Sequence, residues 1–150
     1  MVVALIIPFL VILASWEQWR AQLPIEVASH WSGLGAADAS LPTRIVYMTA
    51  LLATGFAALG GVLVTVIGNV SARARIISVF IFGLIAGVGM TSWLIPAYLT
   101  IQAGVPADAV LGWWVVPQIL LPAYGFIPAL LLPRPSRGIR KDRQRTSRLK

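Results

Sequence analysis

The chain has no cysteine, one histidine (His30) and only five acidic residues among 150. Lacking cysteine, it forms no disulfide and offers no thiolate to a metal, so thiol usage reveals nothing about redox compartment. Charge is scarce as well: 11% of residues are charged, against about 25% in a soluble chain. The scarcity is uneven, because four long stretches carry no Asp, Glu, Lys, Arg or His at all. An ionisable side chain at mid-bilayer costs ~2.5–3.5 kcal/mol and usually marks a transport or proton path. Its absence argues against a proton-coupled pump, a carrier of charged solutes and an intramembrane metalloprotease. No carboxylate pair, nucleophile with a base or ligand cluster stands out, so no enzyme is expected.

What is abundant is apolar. Hydrophobic residues make up 58% of the chain and come in blocks, where a soluble amphipathic helix would spread them along one face. The blocks lie at about 1–16, 45–68, 76–98 and 111–132. The last three exceed the ~20 residues that a spanning helix needs. The first, at 1.5 Å per residue, would reach roughly 24 Å. It reads as an uncleaved anchor, not a signal peptide, because no Lys or Arg precedes it and Leu13-Ala14-Ser15 is a poor cleavage site. Its true start could lie upstream of Met1. The expected fold is an all-α integral membrane domain over 1–132. It would be a four-helix transmembrane bundle with a small extracytoplasmic cap (loop 17–44) and a basic tail over 133–150.

Orientation follows from the basic residues. Eight of twelve lie in the last seventeen positions: Arg134, Arg137, Arg140, Lys141, Arg143, Arg145, Arg148 and Lys150. With both termini cytoplasmic, these and Arg73 and Arg75 are inside, leaving only Arg20 and Arg44 outside. The tail, with Pro133, Pro135 and Gly138 and little that is apolar, is expected to be disordered and to touch anionic lipid in preference to nucleic acid. Trp16, Trp19, Trp31, Trp93, Trp113 and Trp114 all fall toward one face of this topology, with Tyr47 and Tyr98. They are expected at the outer headgroup level. Asn69–Arg75 reads as a tight inner turn, and 100–110 as a short second outer loop.

Within the spans, Gly83 and Gly87 form a G-x-x-x-G pair, and Ala53, Ala57 and Gly61 a small-residue stripe. Both predict close helix packing, within the monomer or between copies. Pro117, Pro122 and Pro128 predict a kinked fourth helix. Carbonyls freed there, with Gln118 and Tyr124, could line a cavity or serve interhelical hydrogen bonds.

The most distinctive stretch is the outer loop, Leu23 to Asp38. Pro24 stiffens the descent from the first helix, and Gly33 and Gly35 are expected to permit positive φ in a tight turn. His30 is expected to hydrogen-bond within the loop and Trp31 to pack on the bilayer surface or the helix ends. Glu26, His30 and Asp38 make a weak candidate Zn²⁺ set, so neither metal nor cofactor is expected. The pattern L-P-x-x-V-x-x-H-W-x-x-x-G-x-x-D, carried by Leu23, Pro24, Val27, His30, Trp31, Gly35 and Asp38, resembles a bacterial membrane domain of unknown function. That domain also forms the amino-terminal part of immunity proteins against the Sdp cannibalism toxin. The resemblance implies a multi-pass protein of the bacterial plasma membrane and recognition of an envelope peptide or protein through the loop. Two other expectations remain open: a small transporter using the proline-broken fourth helix, and a structural subunit of a membrane complex.

Overall fold

The computed structural model of the chain describes residues 2–67 and 70–132. The basic tail, including Arg137, Arg140, Lys141, Arg143, Arg145 and Arg148, lies outside the described residues. Four helical segments are long and apolar enough to cross a membrane. They are α1 (Val2–Trp19), α2 (Thr43–Val66), α3 (Ala72–Ala103) and an interrupted span over Gly112–Leu130. In that fourth span, a 3₁₀ turn (Gly112–Trp114) leads into α4 (Val115–Leu120), a 3₁₀ stretch (Leu121–Gly125) and α5 (Phe126–Leu130). The interruptions follow the prolines: Pro117, Pro122 and Pro128 each remove a backbone donor, and the chain tightens around the gaps.

Local chemistry sets the helix ends differently from the hydropathy blocks. The Ser71 hydroxyl accepts the Ala74 amide at 3.2 Å, so α3 starts at Ala72. Arg73 and Arg75 therefore ride its first turn instead of lying in a loop. At its other end α3 runs on to Ala103 and stops where Gly104 adopts φ +80°, its amide returning to the Thr100 carbonyl. α1 continues through Glu17 to Trp19, which extends it to about 27 Å.

α3 is the central element. α1, α2 and the fourth span pack against it, α1 also touches both α2 and α5, and α2 and the fourth span barely meet. One core cluster joins Ile12, Tyr47, Ala50, Trp93 and Ala97. Trp93 is fully buried there, so its ring lies between helices and not on the outer surface of the fold. Its indole donates to Ser15 Oγ at 2.8 Å, and that hydroxyl donates to the Ile12 carbonyl. Trp16 stacks on Tyr47 with ring centroids 4.2 Å apart, closing an aromatic layer between three helices.

The small residues and prolines act by close approach and by exchange of partners. A Cβ at Gly83 would lie 2.6 Å from Gly125 Cα, and one at Gly87 would meet the Leu121 carbonyl and Pro122 Cα. The G-x-x-x-G pair thus packs α3 on the fourth span of the same chain. Pro8, inside α1, cannot donate to the Ala4 carbonyl four residues back. The Tyr124 hydroxyl takes that place at 2.5 Å, so a donor lost in α1 becomes a tie to the fourth span.

The expected all-α architecture needs one correction. Loop 17–44 contains β1 (Glu26–His30) and β2 (Ala39–Pro42), paired antiparallel with Val27 opposite Leu41 and Ala28 opposite Ser40. The register slips between Ala28 and His30, a bulge that re-aims the chain into the His30-Trp31 corner. β2 runs directly into α2. There the Thr43 amide donates to the Ile25 carbonyl and its hydroxyl to the Pro24 carbonyl.

Candidate functional site

The motif residues converge on the hairpin, and most of them fasten it. Val27 and Ala28 are fully buried, Ala28 in a second cluster with Ile95, Leu99, Ala109 and Leu111. The Ala28 amide donates to Thr100 Oγ1 at 3.0 Å, tying β1 to the end of α3. Leu23 packs on the Trp93 cluster, and Pro24 supplies the carbonyl that receives Thr43. Trp31 packs on the Ala28 cluster and donates Nε1–H to the Ala109 carbonyl at 2.8 Å. Of the two placements expected for Trp31, the one on the helix ends is the one seen.

Gly33 and Gly35 do not perform the expected task. Among the described residues, positive φ occurs only at Gly104 and Gly112, and a Cβ at Gly33 or Gly35 would meet nothing within 4 Å. Gly35 contributes its carbonyl instead. Leu111 N donates to Gly35 O, Gly112 N to Leu34 O, and Ala37 N to Ala109 O, at 2.9–3.0 Å. An isolated antiparallel bridge pairs Ala36 with Val110. The two outer loops are therefore zipped together by backbone, which hydropathy and spacing did not foretell.

Asp38 closes the far end of the hairpin. One carboxylate oxygen faces His30 Nδ1 at 2.5 Å, the other accepts the Ser32 amide at 2.9 Å, and the Asp38 amide donates to the His30 carbonyl. His30 and Asp38 both stay solvent-accessible. The hydrogen bonds from His30 and Ser32 hold the Asp38 carboxyl below its usual pKa. A lowered folded-state pKa contributes stability above the unfolded value that is lost as pH falls through the folded one. Protection of the Ser32 and Asp38 amides, taken relative to their intrinsic exchange rates, should therefore fall below about pH 4, whereas in Asp38→Asn it should be low at neutral pH too. Protection in the wild type that does not change with pH would contradict this.

Glu26 is taken up by the Ser40 hydroxyl, across the hairpin. Among the described residues no three His, Cys, Asp or Glu side chains gather as a metal site, and Glu26, His30 and Asp38 do not come together as a ligand set.

Recesses lie on three sides of the cap. An outer notch of about 160 Å³ runs between Asp38–Ser40 and Pro106–Ala107. A recess of about 390 Å³ lies beside Leu23 and Pro24, with Arg20 and Arg44 at its rim. Arg20 is paired there with Glu17 at 3.0 Å. The third, of about 260 Å³, lies under the hairpin between α2 and α4 and is lined by Trp31, Thr49, Ser92 and Gln118. Comparison with known protein families, with curated proteins and with solved structures finds no match to this chain.

Proposed function

We propose that this is a non-enzymatic multi-pass membrane protein of the bacterial plasma membrane. Both termini are cytoplasmic in this reading, and the hairpin cap recognises an envelope peptide or protein. The membrane reading is supported by the apolar side chains that the fold leaves uncovered. Leu52, Phe56 and Leu59 on α2, and Ile119, Leu120 and Leu130 on the fourth span, are each more than 60% exposed. A water-soluble fold does not leave such a girdle.

One observation carries the recognition reading. The cap is held at Thr100, Ala109 and Leu111, yet its His30–Asp38 edge stays open beside the outer notch. A rigid polar edge next to a notch suits a partner at the outer face, as the resemblance to toxin-immunity proteins also suggests. Anionic lipid is the expected contact of the tail.

A photo-crosslinking amino acid at Ser32, illuminated in living cells, tests the recognition. A discrete peptide or protein adduct is expected, and it should be lost in His30→Ala at unchanged protein level. Lipid adducts alone, or none, would sink the recognition reading. Orientation is checked separately, because any introduced cysteine is unique in this chain. Ser32→Cys should react with an impermeant maleimide in intact cells, and Ser147→Cys only after permeabilisation.

A further inference from the structure

The cleft under the hairpin differs chemically from the rest of the apolar surface. Its roof is Ser29 and Trp31 of the cap, its walls are Thr49 of α2 and Gln118 of α4, and its floor is Ser92 and Pro96 of α3. α1 fills the space between α2 and the fourth span on one side of α3, and the cleft occupies the opposite side, where α2 and the fourth span hardly touch. It is therefore open laterally.

Three polar side chains in this cleft are uncommitted. Thr54, Thr65, Thr91 and Ser92 return their hydroxyls to carbonyls of their own helices. Among the described residues, the side chains of Ser29, Thr49 and Gln118 make no hydrogen bond. Pro96, lacking an N–H, also leaves the Ser92 carbonyl without its usual donor four residues on. Polar groups in apolar surroundings cost free energy until a partner satisfies them, and here both donors and acceptors are on offer. Among the described residues, no Asp, Glu, Lys, Arg or His lines the cleft. A charged ligand would thus lose its hydration with no counter-charge to replace it.

We propose that this cleft binds the uncharged, hydroxyl-bearing head of a membrane amphiphile, of the diacylglycerol type, entering sideways from the outer leaflet. The Gln118 amide and Thr49 hydroxyl hold the head under Trp31, and the acyl chains stay outside against Ile45 and the apolar side chains around it. The proposal rests on the membrane reading above, with the cap outside, but is independent of what the cap itself recognises.

The test uses the full chain in phosphatidylcholine nanodiscs with a trace of diazirine-bearing diacylglycerol. Adducts should concentrate on peptides containing Thr49, Ser92 and Gln118. Unlabelled diacylglycerol should compete for them, and phosphatidylglycerol should not. Losing one neutral hydrogen bond in Gln118→Leu should lower the yield roughly three- to tenfold. Thr49→Phe, which fills the cleft without touching the amide, should lower it as well. Leu130→Phe, on exposed surface elsewhere, should not. Unchanged amide exchange in the hairpin will show that each variant is folded. Adducts spread evenly over the apolar faces, equal competition by phosphatidylglycerol, or insensitivity to Gln118→Leu would each overturn the proposal. Maleimide labelling of Ser32→Cys separates the two failures. A chain that inserts cap-outward but shows no focused adduct defeats the cleft alone, and one that does not insert defeats both.

Discussion

Replacing Gly87 by leucine is expected to push the fourth span off α3 and to cost at least about 3 kcal/mol, the upper end of overpacking penalties. The magnitude follows from what the new side chain meets. A Cβ there would run into the Leu121 carbonyl and lie 3.0 Å from Pro122 Cα. A side chain could rotate away, but backbone held by its own helix cannot. Gly83→Leu should behave alike, since its Cβ would fall 2.6 Å from Gly125 Cα and 3.1 Å from Pro128 Cγ. Denaturant or thermal unfolding in detergent measures the loss. Gly33→Ala and Gly35→Ala, which face open space, serve as near-neutral controls. Because the contact is within one chain, the loss should not depend on protein concentration. A Gly87→Leu protein that stays folded but changes its oligomeric state would instead place the glycine face at an interface between copies.

Trp31→Ala should undock the cap, at a cost of about 2–3 kcal/mol from lost burial and the lost indole hydrogen bond to the Ala109 carbonyl. The indole is the side chain that reaches furthest across the junction, ending on a backbone oxygen 78 residues away. In exchange experiments the amides of Ala37, Leu111 and Gly112, which zip the two outer loops, should open roughly thirty- to hundredfold more often. Trp31→Phe keeps a ring in place but offers no N–H, so it should lose about 1 kcal/mol. Equal protection in all three proteins would mean that the backbone zipper holds the cap alone. The distinction bears on function, since a loss of recognition in Trp31→Ala reports an undocked cap, whereas the same loss in His30→Ala reports a missing contact.

The candidate site was partly legible. Leu23, Pro24, Val27, His30, Trp31, Gly35 and Asp38 stood out by spacing, and the structure brings them to one hairpin and its docking surface. The roles of several were not legible. Gly35 was expected to supply backbone freedom, and it supplies a carbonyl to Leu111. The hairpin was missed because Glu26–His30 is short and only one strand of it is buried. Such a segment carries little periodic signal beside helices of eighteen residues or more. Thr100 and Ala109 gave no local sign of their importance, since each acts on a partner more than seventy positions away in the chain.

By itself, the sequence determined the number and approximate place of the helical segments long and apolar enough to cross a membrane. Uncharged apolar runs of that length have few structures open to them, and three closely spaced prolines interrupt the fourth of them. Which polar group answers which vacancy was decided only in three dimensions. Tyr124 serves the carbonyl that Pro8 abandons, Ser15 receives the buried indole of Trp93, and Thr100 receives Ala28. Gln118 is left facing a cleft. Hydropathy is a property of each residue and survives in a one-dimensional reading. Hydrogen-bond partnership belongs to pairs distant in sequence, and it exists only once the helices have chosen their neighbours.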